Sequence, residues 1–206
     1  MTRAGLARYG WAILRSRGRD QEFRRRVGAL AIAAERAGVT PSEQERLDVI
    51  GARLVSAEWP GRPLVITAVD AGTGEFVRFD RDSGVPLLQA VAASCAVPGV
   101  YPPVTIDGRR YVDGGIRSAA NTDLAAGYDR VVVLAPIPRG VGPMASVDRH
   151  VAGLTGARVA VVSPDAPSRT AIGRNVLDPA ARAPSARAGR AQGAVVADRI
   201  AETWTG

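Results

Sequence analysis

The sequence predicts an α/β fold, and three observations carry that prediction. The run LVITAV at 64–69 is almost continuously apolar, as a strand covered on both faces should be. Two further β-rich runs follow at 131–135 and 158–162. Between and around these runs lie stretches whose apolar residues recur every three to four positions, the spacing of helices packed on one face. Strands alternating with helices argue a three-layer α/β/α arrangement. The composition supports a folded chain: with 46% hydrophobic residues and a mean hydropathy of 0.00, 206 residues can bury a sizeable core, which excludes wholesale disorder.

Taken in order, the chain opens with Trp11-Ala12-Ile13-Leu14, too short an apolar run before Arg15 for a signal peptide. No run approaches the ~20 apolar residues of a membrane span. A single cysteine, Cys95, permits no intrachain disulfide, so the cytoplasm is the expected compartment. Residues 21–37 place Phe23, Val27, Leu30, Ala31 and Ala34 on one helical side, and Gly38 suits the C-cap. Pro41-Ser42 opens a second helix through Leu54, using Leu47, Ile50 and Leu54, and Trp59-Pro60 ends this helical segment. The strand at 64–69 follows, and 75–79 can pair with it through the turn Ala71-Gly72-Thr73-Gly74.

The block at 84–124 is the centre of the chain. Asp82 or Ser83 can cap a helix with Pro86 in its first turn and with Leu87, Leu88, Val91, Ala92 and Cys95 on one face. That helix stops before Pro98-Gly99. Val104-Thr105-Ile106 and Arg110-Tyr111-Val112 flank Asp107-Gly108, a dipeptide suited to the positive φ angles of a two-residue hairpin turn. The hairpin delivers Asp113, and Gly114 and Gly115 let the backbone turn sharply and approach another group closely. A carboxylate held at a strand end in this way can accept a proton. Beyond it come the strand at 131–135, a Pro/Gly-rich loop at 136–143, the strand at 158–162, a break at Pro184 and a helix at 192–203 closing the sheet. With no internal repeat and no clear boundary, the expectation is one domain over 1–206: a helical segment (1–58), core strands and the Asp-Gly-Gly block (59–138), and a last strand and helix (139–206).

The net charge is +7, and every basic residue is arginine. Such a balance suits phosphate-bearing partners, whether nucleic acid or an anionic membrane surface. The arginines are spread along the chain, concentrating locally only at 15–26, which favours a solvated helix face over a nucleic-acid interface. Peripheral contact with an anionic membrane stays open. His150, the single histidine, is expected as an ordinary surface residue and is too few for zinc. Ser94 and Cys95 are the nucleophiles nearest Asp113 in sequence but fall inside an apolar helix, where a core role is expected. Asp70 and Asp107 each have a turn explanation, and Ser83 a capping one.

Three motifs in one order carry a resemblance. Ala92-Ala93-Ser94-Cys95-Ala96-Val97-Pro98-Gly99, Tyr101-Pro102-Pro103 and Tyr111-Val112-Asp113-Gly114-Gly115 closely resemble the C-terminal half of the patatin-like phospholipase family. The strand at 64–70 with Thr73-Gly74, the stretch 121–125 and the strand at 131–134 extend it over 59–138. The resemblance implies an α/β/α sandwich, incomplete on its N-terminal side, and a serine esterase acting on lipid through a Ser-Asp dyad without histidine, metal or other cofactor. In that scheme Asp113 is the proton acceptor and Asp113, Gly114 and Gly115 form its motif. The family's Gly-x-Ser-x-Gly nucleophile elbow and its Gly-rich oxyanion turn do not occur in these 206 residues, so roughly 60 or more residues of the family pattern, about two βα units, are missing. The expectation is a lipid acyl hydrolase of which this chain holds the base and not the nucleophile, the chain by itself being inactive; the alternative is a degenerate, non-catalytic module of the same family that binds lipid or a protein.

Overall fold

A computed structural model describes residues 3–205, with side chains from Tyr9 onward. The described residues form two compact units, one running to Ser118 and taking in Val141–Met144, the other made of Ala119–Gly140 and the chain from Ala145 on.

The first unit is built on a four-stranded antiparallel sheet in the order β2-β1-β4-β3, from β1 (Ile66–Asp70), β2 (Phe76–Phe79), β3 (Val104–Ile106) and β4 (Arg109–Asp113). The central pair aligns Ala68 with Asp113 and Asp70 with Tyr111. Alternating side chains then divide the core. Ala68 and Tyr111 pack with Ile50 of α3 (Glu43–Gly51) and with Ala90, Ala92 and Ala93 of α4 (Leu87–Ser94). Val69 and Val112 pack the other way, with Ala12 of α1 (Arg3–Ser16) and Phe23, Val27 and Ala31 of α2 (Asp20–Arg36). Helices thus cover both faces, which is why β1 reads as a continuous apolar run. The strand begins at Ile66, two residues later than the run, and Leu64 and Val65 are left exposed.

Local chemistry explains most boundaries. Ser42 and Glu45 form a reciprocal capping box at the start of α3, the Glu45 N–H donating to Ser42 Oγ (3.2 Å) and the Ser42 N–H to Glu45 Oε2 (2.8 Å). The Glu43 carboxylate of the same turn takes the N–H (2.6 Å) and hydroxyl (2.8 Å) of Thr105, tying α3 to β3. Asp107 and Gly108 both adopt positive φ (49° and 74°), the hairpin turn expected of Asp-Gly. The expected cap of α4 is corrected: the Ser83 hydroxyl instead donates to Asp80 O (2.6 Å) within a turn, and the helix starts behind Pro86 with no side-chain cap. Residues 3–16, within the segment expected to be helical but given no helix of their own there, form α1, whose Tyr9 ring meets Phe23 edge-on at 5.7 Å.

The second unit pairs β5 (Arg130–Leu134) in parallel with β6 (Arg158–Val162) and has its own core of Val131, Val133, Ala135, Val147 and Leu154. It also holds α5 (Val147–Val151), α6 (Ala166–Ile172) and α7 (Arg182–Thr205). Asp165 caps α6 by accepting the Ser168 N–H (2.8 Å), a short helix absent from the sequence expectation. Pro184 does not break the last helix. It lies in the first turn of α7, where no backbone N–H is required, so the helix starts ten residues earlier than expected.

Candidate functional site

Asp113 is the last residue of β4. Its own N–H donates to Ala96 O (3.1 Å), which fastens the strand end to the buried turn after α4. Its carboxylate accepts the N–H of Gly115 (2.7 Å) across the first turn of a 3-10 segment, Gly114–Ile116. The two glycines serve space rather than reversal, since neither has a positive φ. A Cβ on Gly114 would lie 2.6 Å from Thr67 O on β1, and a Cβ on Gly115 would lie 2.8 Å from Asp113 Oδ1. The first glycine lets the loop pass against the neighbouring strand; the second leaves room for the carboxylate over the N–H it accepts.

No arginine contributes to the charge state of Asp113. Burial pushes its carboxyl up and the Gly115 bond pulls it back only partly, so it sits above the ordinary range of a carboxyl. Two further acids stand close enough to sense its charge. The Tyr9 phenol is pushed up to about 12 by burial and then by Asp113. The Cys95 thiol is pushed up by burial and by Asp113, with Arg46 opposing. Both neighbours therefore keep their protons at neutral pH, and Asp113 is the member of this group that can take one up.

The other candidates fall as follows. Cys95 is not in the core: α4 ends at Ser94, and Cys95 is its C-cap residue, exposed as a whole although enough protein surrounds the thiol to raise its pKa. Helix geometry had placed it on the apolar face, but the helix stops one residue short of it. A thiol with a raised pKa is a poor nucleophile, so its position beside Asp113 does not make it one. Ser94 is half-buried. His150 is likewise not an ordinary surface residue; its side chain is 14% exposed, and Nδ1 lies 3.0 Å from Asp123 Oδ1. Asp70 is a turn residue as expected. It accepts the N–H groups of Gly72 and Thr73 (2.8 Å each) and pairs with Arg109 Nε (2.8 Å). Among the described residues no three His, Cys, Asp or Glu side chains gather as a metal ion would require, and no helix is long and apolar enough to cross a membrane.

Tyr9 was missed. It lies on a helix that the expectation of a helical segment over 1–58 did not resolve, and it comes close enough to sense Asp113 because α1 packs across α2 and the sheet.

Comparison with known proteins bears on this same region. A family model described as patatin-like phospholipase matches residues 10–126, more than half of the chain and all of the Asp113 loop. An uncharacterized NTE family protein of Mycobacterium bovis is 33% identical over 106 residues, and so are two from strains of Mycobacterium tuberculosis. Each alignment covers 50% of this chain and 28% of the relative, so the chain spans little more than a quarter of the length of these proteins.

Proposed function

The chain belongs to the patatin-like phospholipase family, and on that premise we propose that it carries the base of a lipid acyl hydrolase working through a Ser-Asp dyad, with Asp113 as the proton acceptor. In this reading a serine hydroxyl attacks the ester carbonyl while Asp113 takes its proton. The tetrahedral intermediate collapses, the alcohol leaves with that proton, and the acyl-serine is then cleaved by water activated the same way. The observation that carries the reading is the state of the carboxylate. It is held in place by one N–H at 2.7 Å, has no countercharge, and is raised by burial toward the pH at which a general base works. The dyad reading assigns no role to His150, whose Nδ1 lies 3.0 Å from Asp123 Oδ1.

The serine is not offered by a Gly-x-Ser-x-Gly within these 206 residues. The family reading therefore requires a nucleophile elbow and an oxyanion turn from outside these residues, added to these strands in a patatin-like α/β/α sandwich. The substrates expected are lipid esters.

A fluorophosphonate probe and a short-chain nitrophenyl ester test this. The 206-residue chain should neither label nor turn over ester above background, because loss of oxyanion donors alone costs about 100-fold or more. A chain extended through a nucleophile elbow should do both, and Asp113→Asn should abolish its turnover. Stoichiometric labelling of the 206-residue chain, or full turnover by the extended Asp113→Asn variant, overturns the assignment.

A further inference from the structure

We propose that the outer face of α1, together with the start of α2, is a docking surface for an anionic lipid bilayer. The inference goes beyond the acyl-hydrolase reading and does not need Asp113.

The two sides of α1 differ sharply. Ala12 and Ser16 are buried against the core, whereas Trp11 is 54% and Leu14 is 76% exposed. Two large apolar side chains on one turn of helix are therefore left in water. They are also framed by cations. The Arg15 guanidinium stands 4.7 Å from the centre of the Trp11 ring and that of Arg26, across the helix pair, 5.9 Å from it. Such pairing holds the ring at the surface. Residues 9–26 hold six arginines against Asp20 and Glu22, a local charge of +4 within a chain of +7. Glu22 is shared between Arg25 (2.9 Å) and Arg26 (2.6 Å), and among the described residues no carboxylate pairs with Arg15 at the edge of the ring.

This combination fits one kind of partner. Tryptophan settles at the level of lipid headgroups, an exposed leucine beside it can enter the acyl region, and arginines on the flanks meet anionic headgroups. Nucleic acid would use the cations and the ring but gives Leu14 nothing to bury in. The one aromatic within 15–26, Phe23, is buried in the core, so the stretch looks like a plain solvated face; the fold brings Trp11 back onto it. The placement also suits the proposed chemistry. Tyr9, two residues before Trp11, turns inward to the neighbourhood of Asp113, so one short helix would have lipid on its outer side and the base near its inner side.

The test is co-sedimentation of the 206-residue chain with phosphatidylcholine vesicles, with and without phosphatidylglycerol, across a salt series. The chain should bind the anionic vesicles at low salt and bind pure phosphatidylcholine at least about ten-fold more weakly. Trp11→Ser with Leu14→Ser should lower binding to anionic vesicles about ten-fold or more. Arg15→Gln should lower it about five-fold and flatten the salt dependence. Asp113→Asn should bind like wild type, which separates this proposal from the fate of the hydrolase reading. For placement, Leu14→Cys in a Cys95→Ala background, labelled with a nitrobenzoxadiazole dye, should shift to shorter emission on the vesicles. Failure of wild type to bind anionic vesicles overturns the proposal. So does wild-type binding by a Trp11/Leu14 double variant with an unchanged thermal melt, a dye that stays in water, or binding to duplex DNA tighter than to anionic vesicles through these same residues.

Discussion

Asp70 and Asp113 end neighbouring antiparallel strands, and each is followed by a small-residue loop whose N–H two positions on donates to the carboxylate, at 2.8 Å from Gly72 and 2.7 Å from Gly115. The local geometry is nearly the same; the charge environment is opposite. Burial pushes the Asp70 carboxyl up, but the Thr73 and Gly72 N–H bonds and the Arg109 guanidinium outweigh it, so it lies below the usual range. Asp113 has the burial and one N–H bond, without the cation, and it lies above that range. One carboxylate is spent on holding a turn. The other is kept uncompensated, which is costly to the fold and useful to a base.

The largest way to break the comparison is to remove the structural member. Asp70→Ala leaves two N–H donors and Arg109 without their acceptor at a site only 3% exposed, and should cost about 3 kcal/mol by denaturant titration at neutral pH. Because the folded pKa of Asp70 is depressed, its contribution is present above the unfolded value near 4 and is lost as pH falls through the folded one. The gap between wild type and variant should therefore close in acid. A gap independent of pH would mean that packing, not the charged bonds, was lost.

A smaller perturbation acts on Asp113 alone. Gly115→Ala places a Cβ 2.8 Å from Asp113 Oδ1, and since Gly115 has no positive φ the backbone accepts the residue while the carboxylate must move. The loss of one hydrogen bond should cost about 1 kcal/mol. A displaced base should lower turnover of the extended chain by about 100-fold. Turnover unchanged in this variant would show that the Gly115 bond does not position the base.

How far these features were legible in the sequence depends on whether the signal was local. The strand at 158–162 and the Asp107-Gly108 hairpin were found because a β-rich apolar run and a turn dipeptide lie within a few residues. Asp113 was singled out as a strand-end residue before two glycines, but its expected role came from the family resemblance of the motifs around it, since locally a turn aspartate reads the same. Asp70 and Asp113 could not be told apart as charges, since what separates them is Arg109 reaching across from β4. Tyr9 and α1 were not singled out within the segment 1–58 expected to be helical: the apolar run Trp11-Ala12-Ile13-Leu14 was weighed only as a signal peptide, and the inward face of the helix appears only when α2 and the sheet lie beneath it. Pro184 misled because a proline in a first turn and one in a helix interior look alike until the start of the helix is known. Cys95 was misplaced by a single residue at a helix end.

The smallest effect should be a gain. Asp113→Asn keeps an oxygen that can accept the Gly115 N–H and removes a charge that burial disfavours. A carboxyl whose folded pKa is raised contributes its full stability below the unfolded value near 4 and loses it as pH climbs through the folded value, so at pH 7 the wild type carries the cost of the buried charge. The amide carries none. The variant should therefore be more stable than wild type at pH 7 by about 1 kcal/mol, a rise in Tm of about 2–4 °C for a chain of this size, and the difference should vanish near pH 3. Asp70→Asn should shift Tm the opposite way at pH 7, because there the lost charge faces Arg109 at 2.8 Å. Thermal melts of both variants from pH 3 to 8 decide it: two shifts of opposite sign that converge in acid support a base held against its own stability, whereas a destabilised Asp113→Asn at pH 7 would make Asp113 a second turn aspartate.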